Sequence, residues 1–344
     1  MRPPQLRNLP SKKDHAETAT KSRRRHAPGE RLEAYALPIA LVAVGVIFGV
    51  LRPDTFLTTQ NASSILSSQS VLVVVALGLM LVIIGGDYDL SVASVISLSA
   101  MVTAILNINH HVPIGWAALA AIAAGLLVGL VNGFFIVVVG IESLIVTLGM
   151  GTLVTGVVLW ISGSNTFSGV SVNLVNLVIV NRLLGIPLSF YYAMAIAAVV
   201  WYVLRYTPAG QRLLVVGRNR DVARLSGINV RRVRWVTLIT ASLIASVGGI
   251  IYAGTTGSAG PSSGLELLLP SFAAVYLGAT TITPGRFNAW GLVIAVYFLV
   301  TGTTGLQLLG AQSFVQNIFY GTTLIFAVAF SQVVRRRRVA AAIR

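Results

Sequence analysis

The chain has 344 residues, of which 55% are hydrophobic and only 10% are charged. An average soluble chain is about one quarter charged, so this composition excludes an ordinary soluble domain and predicts an all-α polytopic membrane protein. The chain contains no cysteine, which excludes disulfides, thiolate catalysis and cysteine-ligated metal sites. The formal charge of +15 is concentrated in segments between apolar runs, a distribution typical of cytoplasmic loops and not of a nucleic-acid-binding surface.

In chain order, the first predicted element is a polar segment, residues 1–33, which is basic and rich in proline. This composition predicts a disordered cytosolic leader. Apolar runs near the 20 or so residues needed to cross a bilayer then predict a membrane domain over residues 34–333, followed by a basic cytosolic tail, residues 334–344. The ten predicted spans are Ala34–Val50, Ser70–Ile84, Leu90–Leu106, Ile114–Val138, Leu144–Ser162, Ser189–Leu204, Val236–Tyr252, Leu267–Thr283, Ala289–Thr303 and Phe314–Val333.

The charges between the spans predict the orientation. Ten spans place the leader, the loop 205–234 and the tail on the same side of the membrane. All lysines and arginines except Arg52 and Arg182 then lie on that side. Because cytoplasmic loops carry an excess of Lys and Arg, both termini are predicted to be cytoplasmic.

A Gly-x2-Ser-x7-Gly pattern occurs at residues 140–151 and again at residues 310–321. Each copy reads as the end of a helix, a tight polar turn and the start of a new helix. With ten spans the two turns face opposite sides, which an inverted repeat of five spans each requires. Chance matching of Gly and Ser in a chain rich in both is the alternative.

The turn between the second and third predicted spans carries two carboxylates, Asp87 and Asp89. Carboxylates are costly in hydrocarbon, which leaves two interpretations. The two residues cap the next helix together with Ser91 at a cytosol-facing turn, where no desolvation is required, or they act directly in transport. The first interpretation is favoured.

Small residues around the fourth and fifth spans predict close helix packing. They are Gly129, Gly133, Gly149, Gly151 and Gly156. In the same region Asn132 and Thr147 either hydrogen-bond between helices or line a path.

The loop 205–234 holds eight arginines and one acid, Asp221. Asn219 predicts a helix N-cap, Asp221 suits the first turn, and Gly227 supplies the left-handed conformation that ends a helix. A helix of about two turns is unstable alone in water, so it must be held by packing; a solvated loop with an incidental turn is the alternative. Three apolar residues are the candidate packing contacts: Val222, Leu225 and Ile228.

Residues 278–291 interrupt an apolar stretch with Pro284, Gly285 and Arg286. Such a break suits a re-entrant or discontinuous membrane segment, or a plain loop. The sequence carries no metalloprotease motif, nucleophile elbow or phosphate-binding loop. It therefore predicts a non-enzymatic chain with no metal site.

Four motifs in order, from about Ser70 to Val328, make the chain similar to the permease subunits of bacterial ABC sugar importers of the ribose, xylose and galactoside type. The motifs read GGDYDLSVAS, VNG followed by IESLIVTLG, TPAGQRLLVVGRNRDVARLSGINV, and GATTITPGRFNAWG. The resemblance implies a fold similar to the ten-helix vitamin B12-type permeases. It also implies a location in the bacterial inner membrane. The particular sugar stays open.

The resemblance further implies partners and site residues. The partners are membrane lipid, an ABC ATPase subunit that holds the ATP and Mg, an extracytoplasmic sugar-binding protein, and a second permease subunit, identical or not. No cofactor is expected on this chain. The coupling helix that enters a groove on the ATPase comprises Asn219, Arg220, Asp221, Val222, Ala223, Arg224, Leu225, Ser226, Gly227 and Ile228. The candidates for the translocation path or its gates are Asp87, Asp89, Ser91, Asn132, Thr147, Thr280 and Thr281.

An ion-coupled secondary transporter is the alternative function. Such a protein requires ionisable groups near the middle of the membrane. The predicted spans place Asp87, Asp89, Glu142 and Glu266 at helix ends or turns, which favours the ABC permease.

Overall fold

Helices account for most of the chain that the computed structural model describes, which is residues 28–343, with side-chain surroundings for residues 34–329. This range contains fifteen α-helices and four strands of two residues each. The helices are α1 Pro28–Leu51, α2 Pro53–Phe56, α3 Thr59–Ser68, α4 Ser70–Ile84, α5 Val92–Ile108, α6 Ile114–Gly133, α7 Ser143–Ser162, α8 Val172–Val175, α9 Leu188–Tyr206, α10 Pro208–Arg218, α11 Arg220–Leu225, α12 Val230–Thr256, α13 Leu268–Gly278, α14 Ala289–Leu308 and α15 Ser313–Ile343. The strands are β1 Phe167–Ser168, β2 Arg182–Leu183, β3 Ile186–Pro187 and β4 Ser258–Ala259, and β1 pairs with β4 and β2 with β3, both antiparallel.

Two helices continue as π-helical turns: α6 through Phe134–Val139 and α8 through Asn176–Val180. Within the described chain, seven helical segments are long and apolar enough to cross a membrane, and three further apolar helices are shorter. Each of the ten predicted spans overlaps one of these segments, although α12 begins at Val230 and not at Val236, and α13 ends at Gly278 and not at Thr283. The polytopic helical membrane class is confirmed, whereas the count of ten spans and the B12-type arrangement stay predictions.

Helix α4 lies at the centre of the core. Every residue of α4 except Ile83 is buried. A helix that is apolar on all faces suits either a protein core or contact with lipid. Here it is the core, because α5, α9, α12, α13 and α14 all pack against α4.

Small residues bring helices α6 and α12 together. A Cβ on Gly129 would lie 2.9 Å from the side chain of Ser242, and a Cβ on Gly133 would overlap the ring of Trp235. The predicted packing role is therefore confirmed at these two positions. A Cβ on Gly149 or Gly156 would meet no atom within 4 Å among the described residues, so the prediction of close packing is wrong for them within this chain.

Helix α9 separates the two ends of the molecule. Its 19 residues span about 28 Å at 1.5 Å per residue. The β2–β3 hairpin immediately precedes this helix, and the arginine-rich loop immediately follows it. We call these two ends the hairpin end and the loop end.

The two Gly-x2-Ser segments adopt the same local geometry. Gly140 and Gly310 have φ angles of 89° and 85°, and Ser143 and Ser313 begin α7 and α15. The first turn lies at the loop end, because Ser143 contacts the α4–α5 turn, to which the arginine-rich loop is also bonded. The residues just before α14 line a cavity together with α10, so α14 carries the chain from the loop end to the second turn. This arrangement agrees with an inverted repeat, which stays a prediction.

Candidate coupling site and its buried anchor

The loop 207–229 folds into two helices, of which α10 was not predicted. The Thr207 hydroxyl accepts a hydrogen bond from the Gly210 amide at 3.3 Å, and Pro208 occupies the first turn. Both are start signals that the sequence displays. Helix α10 lies close against α4, because a Cβ on Gly217 would overlap the carbonyl of Ile84.

Helix α11 begins as predicted. The side-chain oxygen of Asn219 accepts hydrogen bonds from the amides of Asp221 at 2.9 Å and Val222 at 3.1 Å. Asp221 lies in the first turn, where it forms an exposed ion pair of 3.3 Å with Arg224. The predicted N-cap is confirmed.

The end of α11 is also as predicted. Gly227 has a φ of 76°, and the amide of Ile228 donates to the carbonyl of Ala223 at 3.0 Å. The amide of Gly227 donates to the carbonyl of Arg224 at 3.0 Å. Together these two bonds form a Schellman motif, so a helix of six residues is closed at both ends.

The packing of α11 differs from the prediction. Ala223 is buried with Val216 of α10 and Val230 of α12, and Ile228 packs against this cluster. Val222 and Leu225 instead point outwards, with 52% and 89% of their surface exposed. They cannot hold the helix, and they leave an apolar pair on its outer face.

Asp87 joins the α4–α5 turn to the arginine-rich loop. Arg234 donates to both of its carboxylate oxygens at 2.7 Å, and Arg220 donates to Oδ1 at 3.0 Å. Arg220 also donates to the carbonyl of Gly86 at 2.8 Å. Only 5% of the Asp87 side chain is exposed. The cap interpretation is therefore wrong for Asp87, because the carboxylate is desolvated and is compensated by two guanidinium groups.

Asp89 is also desolvated, so the prediction of a cap that requires no desolvation is wrong for it as well, but its partners differ from those of Asp87. The Oδ1 atom of Asp89 accepts hydrogen bonds from the Ser91 amide at 2.9 Å and the Ser91 hydroxyl at 2.6 Å, immediately before α5. Complete burial raises the pKa of the Asp89 carboxyl above its usual range, against the lowering effect of these bonds. Asn132 of α6 donates to the Ser91 hydroxyl at 2.8 Å, so Asn132 does link helices.

A polar stripe on α7 fixes the backbone of the same turn. Ser143 accepts from the Tyr88 amide at 3.0 Å, and Thr147 accepts from the Leu90 amide at 3.1 Å. The two residues are four apart, which places them on one helix face. Ser143 was missed as a site residue.

We expect Thr147→Val to destabilise the folded chain by about 1–3 kcal/mol, because the amide of Leu90 loses its acceptor. The measurement is thermal unfolding of the purified chain. Thr152→Val is the matched control, since Thr152 is exposed on the same helix and bonds only to the carbonyl of Leu148. Equal melting temperatures for the two variants would contradict the role of Thr147.

The structure brings five of the seven path candidates together at the loop end. All five are buried inside the chain. Asp89, Ser91 and Asn132 are hydrogen-bonded in series, Thr147 bonds to the backbone of the same turn, and Asp87 pairs with the two arginines. As path residues they stay predictions.

The other two candidates lie elsewhere. Thr281 is buried and donates to the carbonyl of Ala34 at 2.7 Å. Thr280 borders an apolar groove of about 630 Å³ between α13, α14 and α15. The segment 279–288 itself is a loop that ends at the Asn288 cap of α14.

The chain is similar to known transport permeases over most of its length. The family described as "Branched-chain amino acid transport system / permease component" matches residues 61–328. A ribose import permease protein of Escherichia coli K12 is 33% identical over 315 residues, covering 90% of this chain and 97% of that one. A D-allose transport system permease protein of the same organism is 29% identical, covering 88% and 93%.

A third relative is an L-arabinose ABC transporter permease protein of Azospirillum brasilense, 30% identical over 85% of this chain and 86% of its own. No solved structure matches the chain. The family match extends from α3 to α15 and includes both the loop 207–229 and the Asp87 turn. The chain therefore belongs to this permease family and is the membrane permease component of an ABC transport system.

Proposed function

We propose that the chain forms part of the membrane path of an importer for a sugar or a sugar-like solute, and that α11 is its coupling helix. The sugar class rests on the ribose, allose and arabinose permeases to which the chain is similar. A separate ATPase subunit holds the ATP and Mg, a binding protein delivers the solute at the hairpin end, and a second permease subunit completes the path.

One observation supports the coupling assignment above all others. Helix α11 presents Leu225, the more exposed of its outward apolar pair, on a short helix that is capped at both ends. A large apolar side chain projecting from a basic polar loop suits an apolar groove on a partner.

The contacts behind α11 supply a route for transmitting force. Arg220 begins α11 and binds Asp87 and Gly86, and Arg234 in α12 binds Asp87 from the other side. Ser143 and Thr147 then tie the same turn to α7. A displacement of α11 is therefore carried through side-chain bonds to four membrane helices: α4, α5, α7 and α12.

The topology can be tested with single cysteines, because the chain has none of its own. In intact cells we expect a membrane-impermeant maleimide to label Leu184→Cys at the hairpin end and to leave Val222→Cys unlabelled. Disruption of the membrane should then expose Val222→Cys. Labelling of Val222→Cys from outside intact cells would place α11 on the wrong side for an ATPase.

The solute requires reconstitution. The chain, its ATPase and its binding protein are placed in proteoliposomes, and pentoses, hexoses and polyols are screened for ATPase stimulation that depends on the binding protein. Stimulation by one of these solutes identifies the substrate. Transport that needs an ion gradient but no ATPase would favour a secondary transporter instead.

A further inference from the structure

A cavity of about 400 Å³ opens at the loop end beside the Asp87 turn. Four segments line it: the end of α4 with the following turn, α10, the region from Tyr276 through the loop 279–288, and α15. This volume is within the range of small-ligand sites, about 300–1,000 Å³. Of its lining residues, Gly86 and Asp87 belong to the coupling contacts described above, and the others have no role in that proposal.

The cavity is electropositive. Arg218 and Arg286 line it and make no side-chain hydrogen bond or ion pair with any residue for which side-chain surroundings are described. Asp87 is the only acid among the lining residues, and its charge is already matched by Arg220 and Arg234. The cavity therefore attracts an anion.

The other lining groups indicate the kind of anion. Two guanidinium groups suit the several oxygens of a phosphate, and Tyr88 and Tyr276 also line the cavity. Ile84, Phe287 and Val328 supply apolar wall on the same cavity, which suits the uncharged remainder of a phosphate ester.

We propose that this cavity binds a phosphate ester whose phosphate is held between Arg218 of α10 and Arg286 of the loop 279–288. Two sources share this chemistry: the headgroup of an anionic phospholipid in the inner leaflet, where basic pockets between helices recruit such lipids, and a soluble phosphate compound in the cytosol. The choice of these two sources rests on the proposed function, because it assumes that the loop end faces the cytoplasm. The proposal that the cavity binds a phosphate does not depend on that orientation. A bound phosphate bridges α10 to the loop after α13, next to the bond between Arg220 and Asp87.

The test uses the full chain in nanodiscs, without the ATPase. Native mass spectrometry compares the number of phosphatidylglycerol molecules that the chain retains with the number of phosphatidylcholine molecules. A titration with inorganic phosphate then measures how much phosphatidylglycerol is displaced. We expect Arg218→Gln and Arg286→Gln each to weaken phosphatidylglycerol binding about tenfold, and the double variant about 100-fold. Arg212→Gln is the matched control, because Arg212 is an exposed arginine of α10 outside the cavity lining, and it should bind like the unmodified chain.

Selective retention of phosphatidylglycerol that inorganic phosphate does not displace supports the lipid source. Binding of inorganic phosphate that depends on both cavity arginines supports the soluble source. Three results would each overturn the proposal. All variants bind equally, Arg212→Gln loses as much affinity as the cavity variants, or neither probe binds. Because no ATPase is present, none of these failures bears on the coupling assignment.

Discussion

Replacing Leu225 by Asp is expected to abolish stimulation of the ATPase by the permease while leaving the fold of the permease intact. The Leu225 side chain is 89% exposed in the isolated chain, so the substitution changes the free energy of unfolding by less than about 0.5 kcal/mol. In the complex the same position is proposed to enter an apolar groove, where an unpaired carboxylate costs several kcal/mol. A loss of about 3 kcal/mol corresponds to roughly 100-fold weaker binding of the ATPase.

The measurements are copurification of the ATPase, its stimulated hydrolysis rate and thermal unfolding of the permease. Leu184→Asp is a closely matched control, since Leu184 is 90% exposed but lies at the hairpin end. Leu184→Asp should copurify with the ATPase as the unmodified chain does. Normal stimulation by Leu225→Asp would remove the coupling assignment, because no other exposed apolar side chain of α11 is as prominent among the described residues.

The parts of this site that the sequence predicts are those set by local chemistry. Asn219 and Gly227 act on amides and carbonyls within a few residues of themselves. Caps of this kind follow from residue type and position alone. The apolar spans are similarly local, because about 20 consecutive apolar residues suffice to indicate each one.

The direction of side chains on α11 was not predictable. Six residues are too few to show a helical period. The sequence therefore predicts Val222 and Leu225 as packing contacts, although the structure exposes both. The residue that does pack, Ala223, is small. It contacts Val216 and Val230, which come from helices whose positions only the tertiary fold determines.

The Asp87 anchor was missed for a related reason. Asp87 and Arg234 are 147 residues apart, and no local pattern in the sequence pairs them. Helix α12 starts at Val230, so Arg234 lies within its first turns and not in a free loop as predicted. That earlier start brings the guanidinium group to the end of α4.

Asp87→Asn is expected to destabilise the permease by about 3–5 kcal/mol, because it leaves two partly buried guanidinium groups without their countercharge. Thermal unfolding of the purified chain measures the loss. Asp221→Asn is the control: its pair with Arg224 is exposed, and exposed pairs contribute about 1 kcal/mol or less. Equal effects of the two substitutions would contradict a buried anchor at Asp87.

Asp87→Asn combined with Arg234→Gln separates the structural role of the anchor from its role in coupling. Removing both charges of the strongest pair should recover part of the lost stability, and a double-mutant cycle gives the interaction energy. Recovery of the melting temperature should not restore ATPase-coupled transport, because Arg220 then lacks the carboxylate that joins α11 to the α4–α5 turn. If transport returns together with stability, Asp87 only stabilises the fold, and force from α11 reaches the membrane helices by another route.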